Sequence, residues 1–154
     1  MQFVLFHDEN LKRMTRKDAV ISDLTYDQLK LIHLKSGKNI RKYSNLSIPL
    51  LTEFLDICSD ANKTAVLEIK KLNDISQVIN LFQVLDEYPG LSIIIISFNM
   101  NYLKFIRAIS NVPLQFLTSS LDDEIIYECR VNQLDFSLDK KIAIQKNIKR
   151  YEFT

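Results

Sequence analysis

Short apolar runs alternate with stretches of helical spacing along most of this chain. Five runs have the length and continuity expected of β-strands, and they cover residues 3–6, 65–70, 91–97, 113–118 and 133–137. The run from Leu91 to Ser97 is apolar at nearly every position. Such a run is typical of a strand buried on both faces, as in a parallel sheet.

Between these runs, apolar residues recur at helical spacing behind residues that can cap a helix. Thr25 and Gln28 form a capping-box pattern that predicts a short helix, and a second helix is predicted from Leu51 to Asp60. Further helices are predicted behind Asp74, behind Asn99 or Asn101, behind Asp122, and over residues 139–150. The alternation predicts an α/β fold with right-handed parallel crossovers. An open doubly wound sheet and part of a (βα)₈ barrel both fit, since a whole barrel takes about 250 residues.

Composition narrows the possible functions. The chain has 154 residues and a net charge of +1, so no global field would attract nucleic acid. No apolar run is long enough for a transmembrane segment and no secretory leader is visible, which together favour a cytoplasmic protein. With two glycines, the chain lacks a phosphate-binding loop or a dinucleotide fingerprint. Cys58 and Cys129 are predicted to be buried apolar residues, not a disulfide or a metal pair.

Polar residues at the ends of the predicted strands are the candidates for chemistry, because parallel α/β folds gather their active sites there. His7-Asp8 follows the first run, Glu68 and Lys70 end the second, and Ser97-Phe98 ends the third. A histidine can transfer protons, a carboxylate can hold Mg²⁺ or Ca²⁺, and a lysine can neutralise a phosphate oxygen. If these side chains lie together at the carboxyl ends of the strands, they could bind and cleave a phosphate ester. The alternatives are a structural His7 and a Glu68–Lys70 ion pair on one side of a strand.

The spacing of these residues resembles that of a known enzyme family. Residues 7–15, HDENLKRMT, resemble the HDxxLxRTT segment of glycerophosphodiester phosphodiesterases. Four more family landmarks follow in the right order, at residues 21–29, 48–53, 67–70 and 97–98. The resemblance covers essentially the whole chain.

The resemblance implies a single, incomplete domain over residues 1–154: a partial (βα)₈ TIM barrel whose strands correspond to barrel strands 3–7. It implies a metal-dependent phosphodiesterase of lipid metabolism that cleaves glycerophosphodiesters to glycerol 3-phosphate and an alcohol. By the family pattern, His7 would be one of two acid/base histidines and Glu68 one of three acidic ligands of Mg²⁺ or Ca²⁺. Lys70 would contact the phosphate, and Phe98 would line the substrate mouth.

The sequence also departs from the family pattern. The HRG and E-x-D motifs of the first two barrel strands and the W-T-x-N motif of the eighth are missing, and Met14 and Leu50 replace threonines. A truncated member is therefore expected, inactive alone and poorly able to bind metal, with open sheet edges that favour self-association. The alternative is a non-catalytic phosphate-ester binding or scaffold module that assembles with itself or a partner. A third interpretation, an unrelated open α/β enzyme, would be excluded if the five strands lay in the sequential order 1-2-3-4-5 and curved toward closure.

Overall fold

The computed structural model of the chain describes residues 2–43 and 45–138. The helix predicted over residues 139–150 lies outside the described residues. The described residues divide into two compact units, one within residues 2–61 and 80–88 and the other within residues 62–79 and 89–138.

Helices and strands alternate through most of the described chain. The helices are α1 (Lys12–Thr15), α2 (Tyr26–Leu29), α3 (Leu51–Asp60), α4 (Gln77–Leu85), α5 (Met100–Ile109) and α6 (Asp123–Val131). The strands are β1 (Ala65–Glu68), β2 (Ile93–Ser97), β3 (Leu114–Thr118) and β4 (Asp135–Leu138). Short 3₁₀ turns cover Ile21–Asp23 and Ile40–Lys42. None of the described helices is long and apolar enough to cross a membrane.

The second unit is built on a parallel sheet whose strands lie in the order β1-β2-β3-β4. This sequential order is that of neighbouring strands in a (βα)₈ barrel, whereas the strand order of a doubly wound sheet reverses at a switch point. The predicted fold class, part of a barrel, is thereby confirmed.

One face of this sheet carries the core of the second unit. Ala65, Leu67, Ile95 and Leu114 are buried on it, and the register places Leu67, Ile95 and Leu114 side by side. Helix α5 packs against β2 and β3, and α6 packs against β4. The residues that these two helices bury are Leu103, Ile106 and Cys129.

Polar caps begin three of the described helices where the sequence predicted them. Thr25 and Gln28 form the complete capping box of α2, Asn99 caps α5, and Asp122 caps α6 by accepting from the amide of Ile125. At α3, Glu53 accepts from the amide of Leu50 at 2.7 Å. Leu50 has no side-chain oxygen, so the second hydrogen bond of a capping box, from the amide of Glu53 to the cap residue, cannot form.

The prediction of a buried strand at residues 3–6 is wrong. Val4 makes a single bridge, antiparallel to Leu50, and all four residues are only half-buried. The backbone is bonded instead to the segment before α3: the amide of Leu5 donates to the carbonyl of Pro49, and the amide of Leu51 donates to Phe3. The described parallel sheet therefore has four strands where the sequence predicted five.

The first unit has its own small core. Leu11, Leu29, Ile32 and Ile48 are buried together, with Phe6 and other half-buried apolar residues packed against them. Cys58 in this unit and Cys129 in the other are both buried and free of disulfide bonds, which confirms the prediction that they are buried.

Candidate active-site residues

His7 lies in the first unit at the end of the apolar segment, with three-quarters of its side chain exposed. Its Nδ1 lies 2.8 Å from Oδ1 of Asp8. A proton on Nδ1 can therefore be donated to the Asp8 carboxylate, and Nε2 is then the imidazole atom that can accept a proton.

Asp8 is in turn held by Arg13. The guanidinium donates from Nε to Oδ2 at 2.6 Å and from Nη2 to Oδ1 at 2.9 Å. The hydrogen bonds from Arg13, and after them the contact with His7, lower the pKa of Asp8 well below its usual range. Asp8 is therefore an anion at neutral pH, and it is oriented by a two-pronged contact.

Four matched positions of the nine-residue motif beside His7 have a structural role, and they are Asp8, Leu11, Arg13 and Thr15. Leu11 is fully buried in the core of the first unit, and the buried hydroxyl of Thr15 donates to the carbonyl of Leu11 at 2.9 Å. Between them Arg13 reaches Asp8 from helix α1. Sequence reasoning gave Asp8 and Arg13 no role, although their place in the matched motif was the signal that could have found them.

Glu68 and Lys70 lie in the second unit, at the carboxyl end of β1. Burial alternates along the strand, with Leu67 and Ile69 buried and Glu68 and Lys70 exposed. Nζ of Lys70 lies 3.0 Å from Oε1 of Glu68. The prediction that the two side chains share a side is confirmed, and the contact is also the ion pair that was weighed as the alternative.

Ser97 fixes the ends of β1 and β2 next to these residues. Its fully buried hydroxyl donates to the carbonyl of Ile69 at 2.7 Å and accepts from the amide of Asn99 at 3.0 Å. The amide of Ile69 donates to the carbonyl of Ile96. Ser97 thus ties together the backbone that presents Lys70 and Phe98, and Phe98 itself is 64% exposed.

His33, the other histidine of the chain, lies beyond the end of α2. It is exposed and forms an isolated antiparallel bridge with Ser47. The backbone of His33 therefore pairs with that of Ser47.

The described residues do not by themselves fit a divalent metal. Among them no group of three or more histidine, cysteine, aspartate or glutamate side chains could hold an ion. Glu68 offers one carboxylate, which contacts Lys70, whereas Mg²⁺ and Ca²⁺ take six or more oxygen ligands. A metal site would need ligands beyond these residues.

Comparison with known proteins supports the resemblance seen in the sequence. The sequence profile of the glycerophosphoryl diester phosphodiesterase family matches residues 1–125. A search of the curated proteins finds no match.

Solved structures include a similar fold. The crystal structure of a candidate glycerophosphodiester phosphodiesterase from Galdieria sulphuraria superposes with a TM-score of 0.71 at 17% sequence identity. The match covers 94% of this chain and 62% of that protein, so the chain spans less than two thirds of that relative's length. The fold agrees and the family profile covers most of the sequence; the chain belongs to the glycerophosphoryl diester phosphodiesterase family.

Proposed function

We propose that this chain recognises glycerophosphodiesters as its family does, and that hydrolysis to glycerol 3-phosphate and an alcohol needs residues beyond those it carries. The observation that supports the proposal is the family match over residues 1–125, which includes His7, Glu68, Lys70 and Phe98. The absence of HRG and E-x-D motifs from these 154 residues supports the proposal that hydrolysis needs further residues.

His7 is the proposed acid/base residue. With Nδ1 bonded to the anionic Asp8, Nε2 is free to take a proton from an attacking hydroxyl or return one to a leaving oxygen. The negative charge of Asp8 stabilises the imidazolium formed in between, and Arg13 keeps the carboxylate in place. This is the role that a carboxylate behind a catalytic histidine usually has.

Lys70 is the proposed phosphate contact, because an ammonium on an exposed strand end can neutralise a phosphate oxygen. Its present partner, Glu68, is partly exposed, so a phosphate can compete for the lysine at modest cost. Glu68 is proposed as one of several metal-binding carboxylates. The described residues do not supply the others, so no catalytic step is assigned to a metal. Phe98, exposed beside the end of β2, is the proposed apolar contact for the substrate.

Binding and hydrolysis can be tested separately on the 154-residue chain. Titration with sn-glycerol 3-phosphate, followed by NMR, should show binding that Lys70→Ala weakens about tenfold or more, since a charge-assisted contact contributes roughly 1.5–3 kcal/mol. Lys63→Ala, at an exposed lysine just before β1, is the matched control and should bind normally. Equal affinity of the two variants would remove Lys70 from the proposal, and no binding by the native chain would refute recognition.

Hydrolysis is measured as choline release from glycerophosphocholine with Mg²⁺ or Ca²⁺ present. The chain alone should release no more choline than His7→Ala does. Turnover that disappears in His7→Ala would overturn the proposed inactivity and would establish His7 as catalytic.

A non-catalytic binding or scaffold module is the second candidate, and the lack of a metal-ligand cluster among the described residues favours it. Such a module would assemble with itself or a partner through its open sheet edges. Size-exclusion chromatography with light scattering tests this, and a monomer at all concentrations would count against self-assembly.

A further inference from the structure

One loop of the first unit concentrates positive charge. Residues 34–46, here called the basic loop, contain Lys35, Lys38, Arg41 and Lys42 and no acidic residue. All four side chains are exposed, although the whole chain has a net charge of only +1. The charge is therefore local to this loop.

The cations of the basic loop differ from other cations of the same unit in lacking partners. Lys12, Arg13 and Lys30 each contact an aspartate at 2.6–2.7 Å. None of the four basic-loop cations has an ion-pair partner in the part of the chain that the structure describes. Their charge is thus available to a ligand.

Backbone hydrogen bonds connect the described residues of the basic loop with each other and with Met14. The amide of Leu34 donates to the carbonyl of Leu46 at 2.8 Å and closes the loop, beside the bridge between His33 and Ser47. The amides of Lys35 and Ser36 both donate to the carbonyl of Met14. A 3₁₀ turn covers Ile40–Lys42, so the backbone that carries Arg41 and Lys42 is also hydrogen-bonded.

Exposed apolar side chains accompany the charge. Leu31, just before the loop, is 74% exposed, and Tyr43 and Leu46 within it are 52% and 49% exposed. Cations next to exposed leucines and an aromatic ring are the combination that binds an anionic lipid interface, where charge meets headgroups and apolar groups enter the acyl boundary. Nucleic acid would match the charge, but it would leave the two leucines in water.

We propose that the basic loop, together with Leu31, docks the chain on an anionic lipid bilayer. The charge complementarity carries the assignment, and the apolar residues distinguish a bilayer from a polyanion in water. This proposal goes beyond the proposed recognition of glycerophosphodiesters and does not depend on it, because Lys70 and His7 take no part in it.

Vesicle co-sedimentation tests the proposal, using phosphatidylcholine vesicles with and without phosphatidylserine. The native chain should pellet with phosphatidylserine vesicles and much less with pure phosphatidylcholine. Each cation near an anionic surface is worth about fivefold in partitioning, so K38Q/K42Q should lose roughly 25-fold. The matched variant K63Q/R130Q removes two exposed cations of the other unit and should bind as the native chain does.

The contribution of the apolar residues to vesicle binding is tested separately. L31S/Y43S should weaken binding to phosphatidylserine vesicles while I57S/Y127S, at two other exposed apolar residues, should not. The proposal would be overturned if a variant and its control lost equal affinity, or if binding did not depend on phosphatidylserine. It would also be overturned if the chain bound single-stranded RNA and did not bind vesicles. Glycerol 3-phosphate titration of K38Q/K42Q separates the two proposals, since its affinity should be unchanged.

Discussion

Ser97 offers the sharpest test of how the fold presents the candidate residues. Its hydroxyl is fully buried and joins two strand ends, donating to the carbonyl of Ile69 and accepting from the amide of Asn99. Ser97→Ala removes both hydrogen bonds and leaves a cavity of only one oxygen atom. The effect should therefore come from polar groups that lose their partners, and not from lost packing.

The expected magnitude follows from the burial of the two partners. Ile69 is 8% exposed, so water cannot easily replace the hydroxyl at its carbonyl, and an unsatisfied buried acceptor costs about 1–3 kcal/mol. Asn99 is exposed, so its amide can bond to water and adds little. We expect Ser97→Ala to lower the free energy of unfolding by about 2 kcal/mol.

Urea unfolding followed by circular dichroism measures this loss, and hydrogen exchange at the amide of Ile69 locates it. Ser119→Ala, at an exposed serine just after β3, is the control and should stay within about 0.5 kcal/mol of the native chain. If Ser97→Ala were no less stable than Ser119→Ala, or if exchange at Ile69 were unchanged, the reasoning would be refuted.

Three other predictions concern stability. Gly37 has φ +139°, so Gly37→Ala should cost about 1–3 kcal/mol of backbone strain, whereas Gly90→Ala, with open space around the added Cβ, should be neutral or slightly stabilising in the same urea titration. Burial and then a hydrogen bond to Asp56 raise the pKa of Tyr88 from 10.0 to about 12. The stability that accompanies this shift is complete below pH 10 and is lost as pH rises through about 12; Tyr88→Phe should remove that part of the alkaline decline, and unchanged pH curves would contradict it. Arg107 donates to three backbone carbonyls, including that of Ser110, so Arg107→Ala should cost about 1–3 kcal/mol; a thermal midpoint equal to that of the native chain would show that water replaces it.

Local sequence signals predicted helices α2 to α6 and strands β1 to β4, whereas helix α1 lies in a stretch where no helix was predicted. Helix α3 begins and ends at the predicted residues, Leu51 and Asp60, and α2 forms behind its capping box. These signals succeed because a cap and a helical apolar face act within a few residues of each other. The shared side of Glu68 and Lys70 was predictable for the same reason, since side chains alternate along any strand.

The segment at residues 3–6 shows where such signals fail. Its apolar run is as strand-like as that of β1, yet its backbone bonds to Pro49 and Leu51 and joins no parallel sheet within residues 2–43 and 45–138. Whether a run becomes a strand depends on which distant backbone lies beside it, and periodicity contains no such information. The contact of Arg13 with Asp8 and the tie from Ser97 to Ile69 also needed the folded chain, because each is set by side-chain direction and burial.

The sequence by itself determined the α/β alternation and the family, because spaced motifs and apolar periodicity are written along the chain. It also placed His7, Glu68, Lys70 and Phe98 as the candidates for chemistry. Only the tertiary structure decided that β1-β2-β3-β4 pair in sequential order. It also decided that Asp8 contacts the imidazole of His7 and accepts hydrogen bonds from Arg13. It also showed that the cations of the basic loop stay without partners among the described residues. Pairing of strands and charges depends on distances through space, which residues far apart in sequence acquire only when the chain folds.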